Sequence, residues 1–437
     1  MKSLVATNIV ATLTRFSPLD WFFFSGVLLC TLAKAGVELF FTLSFIYGLV
    51  LWVKRKIQGG TQGQDQGQKP VLSKNVLTLY VLMVTFLLLK LVSIAWAPNT
   101  HKGLMDVGTH SHWLLLPFLI VVFKSTPHLK RALLFGIGFS MLIASLWVLL
   151  THLDFNAWSI ITRFEAGTGN ALVLGAFVAV YTAWLGCAVI APDLTRDSLS
   201  LPLSWLFFGC SLFVLIATWG RMPIIVGLFL NACVLIWTVF VVKNAKVAST
   251  RQTKLATTLF FLMIFVAGSL FLKHSFIGER FMQAASDVSA FNQKADRSTP
   301  VGIRLGMQEA GFIAFKKAPF LGMGAGSAIT VTKQTMQEQH TPDFVGSFNH
   351  LHNQYLQIAV EQGAIGLALF IAIGAWAIRM FLRMQDRFVR YAGCSLIAAY
   401  ALLGLTNMAV KQGALNAFLV TMLGALIALN DQRHSAS

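Results

Sequence analysis

The chain has 437 residues, 56% of them hydrophobic and only 12% charged, with a mean hydropathy of +0.70. A soluble globular chain carries about 25% charged residues, so a soluble fold is excluded and an all-α polytopic membrane protein is expected. The formal net charge of +17 would point to nucleic acid in a soluble protein; here its distribution along the loops assigns it to topology, and no nucleic-acid partner is expected.

Apolar runs recur from end to end, each long enough to cross about 30 Å of hydrocarbon. Taken in order, spans are expected at about 19–34, 36–53, 76–97, 113–124, 131–151, 170–191, 201–219, 222–242, 254–273, 353–379, 391–408 and 413–429, about twelve in all. Between the second and third lie Lys54, Arg55 and Lys56 and a flexible Gly59–Gln68 tract. The stretch Pro98 to His112 reads as a loop. Cys30, Cys187, Cys210, Cys233 and Cys394 all fall in apolar runs without a CxxC pair, so they read as small core residues. The first span reads as an anchor rather than a removed signal, since no small-residue cleavage site follows a short apolar core.

The chain divides at its one long polar segment: 1–273 holds nine spans, 274–352 the loop, and 353–437 the last three spans and a polar tail. Within the loop, Thr299 is an expected N-cap and Pro300 the first residue of a helix running to Lys317, with Ile303, Met307, Phe312 and Phe315 as its apolar face. Such a helix suits the membrane interface. A turn from Pro319 to Gly326 follows, where Gly322, Gly324 and Gly326 allow positive φ and close approach.

One set of loops holds Lys54, Arg55, Lys56, Lys124, Lys130, Arg131, Arg196, Arg379, Arg383 and Arg387 among others; the opposite short loops hold only Lys34, Lys102, Arg163, Arg221 and Lys411. The positive-inside rule makes the first set cytoplasmic and puts the long loop outside, with eight of the ten histidines. Two intramembrane charges, Lys90 and Glu361, lie at similar depth and are expected to pair.

Chemistry concentrates where the loop enters the tenth span. His352 there can act as a general base, kept neutral by the helix N-terminus, with Asn353 orienting it or capping the helix. Arg221, Arg304 and Arg163 lie on the same outer side, and three guanidinium groups near a histidine suit a diphosphate. His350, two residues from His352, is expected to point elsewhere, though it and the turn glycines Gly322 and Gly324 also stand among the candidate substrate contacts. The pairs His110/His112 and His350/His352 raise a metal reading, but no Cys/Asp/Glu cluster has ligand spacing, so no metal site is assigned. No P-loop or dinucleotide fingerprint is present, so no nucleotide cofactor is expected.

These residues resemble the O-antigen ligase and polymerase family of bacterial envelope glycosyltransferases. His352-Asn353, nine residues, then Gly363-Ala364-Ile365-Gly366 follow its pattern; where ligases often continue Thr-Gly, this chain has Leu367-Ala368. Arg221 ahead of an apolar span, and Arg304 ahead of the Pro319–Gly324 turn, match the family's arginines. The resemblance implies a GT-C-like glycosyltransferase of the bacterial inner membrane with a periplasmic active site. It implies a glycan donor on undecaprenyl diphosphate and a sugar hydroxyl of the lipid A-core oligosaccharide as acceptor, with membrane lipids around both and no metal or cofactor. A polymerase of the same family would use the same residues. A transporter or flippase of an anionic lipid is the alternative of another class; it predicts midplane charges along a pathway and internal repeats, of which the sequence has only Lys90 and Glu361 and no repeat.

Overall fold

A computed structural model describes residues 13–61, 72–154, 159–160, 162–244, 276–294, 297–338 and 348–436. The expected span at 254–273 and most of the Gly59–Gln68 tract lie outside the described residues. The chain is an all-α membrane protein: seven helical segments are long and apolar enough to cross a bilayer, and three shorter apolar helices accompany them among the described residues. The helices are α1 (Pro18–Leu32), α2 (Gly36–Thr61), α3 (Lys74–Ser93), α4 (Thr100–His110), α5 (Leu116–Lys124), α6 (Leu129–Thr151), α7 (Ala171–Ile190), α8 (Leu201–Ala217) and α9 (Arg221–Asn244). They continue with α10 (Phe276–Lys294), α11 (Pro300–Lys317), α12 (Ala328–Glu338), α13 (Gln354–Leu382), α14 (Arg387–Leu403) and α15 (Gly413–Ala436).

Helix starts follow local chemistry. Ser17 and Asp20 form a reciprocal capping box before α1, with Pro18 in the first turn. Asn170 caps α7 and Asp386 caps α14, each accepting from backbone N–H groups that the helix leaves unpaired. The core is organised around α7, every residue of which except Leu172 is buried. Helix α7 packs against α8, α9 and α14, while α6 packs on α1 and α8, and α15 on α5 and α2. Large apolar side chains such as Leu43, Ile46 and Val50 on α2 and Leu77, Val81 and Leu88 on α3 remain exposed, as a lipid-facing surface requires.

Two expectations need correction. The stretch Pro98 to His112 is not a loop: Asn99 caps α4, and a 3-10 turn at Ser111–Leu115 joins it to α5, giving one helical passage from Thr100 to Lys124. Lys90 is paired with Asp106 of α4 at 2.5 Å rather than directly with Glu361. Lys411, before α15, then bridges Asp106 at 3.1 Å and Glu361 at 3.4 Å. Four charges from α3, α4, α13 and the α14–α15 turn thus neutralise one another inside the bundle. Their side chains are 1–2% exposed except Lys411, at 22%. An unpaired charge there is costly, so the network fixes the relative depth of four elements.

The loop helix begins as its sequence predicts, with Thr299 accepting from the Gly302 N–H and Pro300 in the first turn. Its buried face differs: Gly302, Gly306, Met307, Ala310, Gly311 and Ala314 face inward, whereas Phe312 is exposed. Small residues let α11 lie close against α13, and Met307, Ala310 and Ala314 join Val331, Leu351 and Val360 in a separate small core. This core seats the loop segment on the end of the bundle where α3 stops and α13 begins.

Candidate active site

Helix α13 is two helical pieces joined at Gly363, which has φ +65° and ψ −166°. A break at that depth would leave peptide groups unpaired in a medium where each costs several kcal/mol. The turn after α11 supplies the partners. Met323 and Gly324 donate to the Val360 and Glu361 carbonyls at 2.8 and 2.9 Å, while Ala364 and Ile365 donate to Pro319 and Phe320 at 2.7 and 3.3 Å. A Cβ on Gly363 would stand 2.2 Å from the Phe320 carbonyl oxygen, and one on Gly322 would stand 2.5 Å from the Gln362 nitrogen. Gly324 meets Ser93 and Ala97 of the third helix and the turn after it in the same way. The two glycine motifs therefore exist for each other: one interrupts the helix and the other fills the interruption. The surroundings of Gly322 and Gly324 are protein backbone.

The seam before α13 is held from several sides. Asn353 caps the helix, its side-chain oxygen accepting from Tyr355 and Leu356 at 3.1 and 3.0 Å. Gln354 donates its N–H to Gly404, and its side chain accepts from Val410. Leu351 is fully buried in the small core. Because 349–352 precedes the helix and is not helical, residues on either side of Leu351 fall on one side of it. His350 and His352 accordingly stand with ring centroids 4.2 Å apart. This corrects the expectation that His350 points elsewhere. His352 adopts φ +52°, uncommon outside glycine, and Phe348 packs edge-on against its ring at 5.2 Å.

The electrostatics of the seam are cationic. Burial first, and then the Arg304 charge, bring the His352 pKa from 6.5 to about 4. Burial, with His352, Lys411 and Arg304, brings His350 to about 4 as well. Both rings are neutral near pH 7, and the Nε2 atom of each is buried without a hydrogen-bond partner among the described residues. Arg304 projects from α11 with an exposed side chain. Desolvation by the surrounding protein, and then the charge of Arg163, lower its pKa. No ion pair or hydrogen bond holds the Arg304 guanidinium among the described residues.

Arg163 comes from the α6–α7 connection and donates through Nε to the Thr218 carbonyl at 3.3 Å. Phe164 donates its N–H to Ala217 at 3.0 Å, so this connection is stitched to the α8–α9 turn. Arg221 opens α9 three residues beyond Thr218, after Trp219 at φ +51°. The three predicted arginines and the histidine thus come from the α6–α7 connection, the start of α9, helix α11 and the segment before α13. His350, beside His352, lines a wide cleft together with Asp106, Lys411 and residues of α4 and α12, a cleft whose lining does not include the arginines or His352. Asp106 and Lys411 were not legible as site residues, because a charge in a loop reads as solvated until its partner is known.

Residues 206–371 match the family model described as O-antigen ligase, a stretch that contains Arg221, Arg304, the glycine turn and the His352 seam. An uncharacterized protein of Haemophilus influenzae is 24% identical over 290 residues, which cover 62% of this chain and 65% of that protein. On the match of residues 206–371, that stretch of this polytopic membrane chain belongs to the O-antigen ligase family.

Proposed function

We propose that this protein is an O-antigen ligase, transferring a glycan from undecaprenyl diphosphate to a sugar hydroxyl of the lipid A-core oligosaccharide. The proposal sets the reaction at the periplasmic face of a bacterial inner membrane, in a GT-C-like scaffold, because the His352 end of the bundle carries the cation-poor short loops. The observation that carries it is the gathering of Arg304, Arg163 and neutral His352 with no carboxylate on Arg304 among the described residues. The Arg304 and Arg163 guanidinium charges repel one another, and an anionic ligand at Arg304 relieves the repulsion.

In this reading the guanidinium groups of Arg304, Arg163 and Arg221 take the diphosphate oxygens, for which their planar forks are matched. The acceptor hydroxyl oxygen attacks the anomeric carbon as the bond from that carbon to the diphosphate oxygen breaks. The electron pair of the broken bond goes to undecaprenyl diphosphate, whose growing charge the arginines stabilise. The acceptor proton passes to Nε2 of His352, an atom without a hydrogen-bond partner among the described residues. The free energy comes from the diphosphate linkage, so the proposed step calls for neither nucleotide nor metal. Asn353 acts through the helix cap that fixes the His352 backbone.

Deletion of the gene tests the reading in cells. The proposal expects bare lipid A-core and long glycan retained on the carrier lipid. Core bearing a single repeat would instead make the protein a polymerase, and unchanged lipopolysaccharide would reject both.

A further inference from the structure

The buried charge network and the histidine seam are joined through one side chain, that of Gln357. Leu351 is fully buried, and its N–H, on the peptide that joins it to His350, donates to Oε1 of Gln357 at 3.1 Å. Nε2 of Gln357 donates in turn to Oε1 of Glu361 at 2.5 Å. Glu361 meets Lys411 at 3.4 Å, Lys411 meets Asp106 at 3.1 Å, and Asp106 meets Lys90 at 2.5 Å. A continuous run of polar contacts therefore leads from α3 and α4, through the turn before α15, to the backbone between the two histidines.

Chemistry fixes the direction of that run. A backbone N–H needs an acceptor and a carboxylate needs a donor, and a carboxamide offers one of each. Only one orientation of the Gln357 amide satisfies both; the flipped amide would set N–H against N–H and oxygen against carboxylate. Gln357 and Glu361 stand four residues apart, one above the other on α13. Neither is more than 2% exposed, so bulk water would not replace a lost partner.

His352 is the residue that this arrangement brackets. On one side Leu351 is tied to Gln357; on the other, Asn353 caps α13. Between them His352 adopts φ +52°, a conformation that persists only where the surroundings over-determine it. The turn before α15 is tied to the same segment a second time, since Val410 donates to the Gln354 side chain at 3.2 Å.

We propose that Gln357 and Glu361 are positioning residues, which tie the His350–Leu351–His352 segment to the buried charges and so hold the His352 ring where it meets the acceptor hydroxyl. That the held ring is the base rests on the ligase reading; that the segment is held does not.

The test uses the full chain in detergent micelles with histidine-selective labelling. It reads single-turnover transfer beside the NMR cross-relaxation between the His350 and His352 rings, whose centroids lie 4.2 Å apart. Gln357→Met keeps the side-chain length and removes both hydrogen bonds. It should lose the ring contact and slow transfer by up to about a hundredfold, the cost of a displacement of about 1 Å, with binding of inorganic diphosphate unchanged. The exchange variant Gln357→Glu, Glu361→Gln keeps the net charge and every donor–acceptor pair. Its carboxylate at 357 accepts from Leu351 and from the amide at 361, whose oxygen accepts from Lys411. It should recover the ring contact and most of the rate, whereas Gln357→Glu alone, which sets two carboxylates together, should not. Gln362→Met, at the neighbouring buried glutamine whose side chain has no hydrogen-bond partner among the described residues, should change neither reading. An unchanged ring contact in folded Gln357→Met, no recovery in a folded exchange variant, or an equal loss in Gln362→Met would overturn the proposal. A lost ring contact with an unchanged rate would support the positioning and count against His352 as the base.

Discussion

The protonation state of His352 can be perturbed in two directions. With its pKa at about 4 rather than 6.5, the imidazole is about 3% protonated at pH 5.5, where an ordinary histidine is about 90% protonated. At pH 7 the corresponding fractions are about 0.1% and about 24%. Burial is the larger cause and the Arg304 charge the second. Arg304→Gln should therefore raise the midpoint but leave it below 6.5, and inorganic diphosphate, by neutralising Arg304, should raise it in the same direction. The sign matters for catalysis: a base is better the nearer its pKa lies to the working pH, so donor binding strengthens the base it needs. It follows that kcat/KM, which reports the free enzyme, should have its acid limb near pH 4, and kcat should have its limb at higher pH. Histidine-labelled NMR of the His350→Gln variant in micelles, followed from pH 3.5 to 8, reads the midpoint directly. A wild-type His352 half-protonated near pH 6.5, or one that ignores Arg304→Gln, would refute the reasoning.

Gly363→Ala places a Cβ at positive φ and against the Phe320 carbonyl; it should cost at least about 1–2 kcal/mol, read as a lower thermal midpoint in detergent. Asp106→Ala leaves Lys90 buried without its partner and should cost about 3–5 kcal/mol, most of which the double variant Lys90→Met, Asp106→Leu should recover. A single cysteine at Lys333, in a background without the native cysteines, should be labelled in intact cells by an impermeant reagent, and one at Arg196 should not; the reverse pattern would invert the orientation.

The apolar runs made most of the bundle legible, because a span long enough to cross hydrocarbon has few other readings. Helix α4 was not, since Thr-His-Lys-Gly-Leu-Met-Asp-Val-Gly-Thr-His carries the polarity of a loop; it is helical because Asn99 caps it and Lys90 neutralises its Asp106. Lys90 and Glu361 were rightly read as charges needing partners, but the pairing runs through Asp106 and Lys411, residues outside the predicted spans. The error at His350 came from applying helical periodicity to a segment that is not helical, where residues two apart share a side. Gly363 is legible as a motif position, but its role depends on a turn some forty residues upstream. Thr299, Pro300 and Asn353 were legible in full, since capping is local.

The most direct test of the account is single-turnover transfer by purified His352→Ala, measured beside donor binding, with reconstituted lipid-linked glycan and acceptor. The account predicts a transfer rate lower by about 10²–10⁴-fold with donor affinity retained, while Arg304→Ala loses both affinity and rate. Near-normal transfer by folded His352→Ala would contradict it.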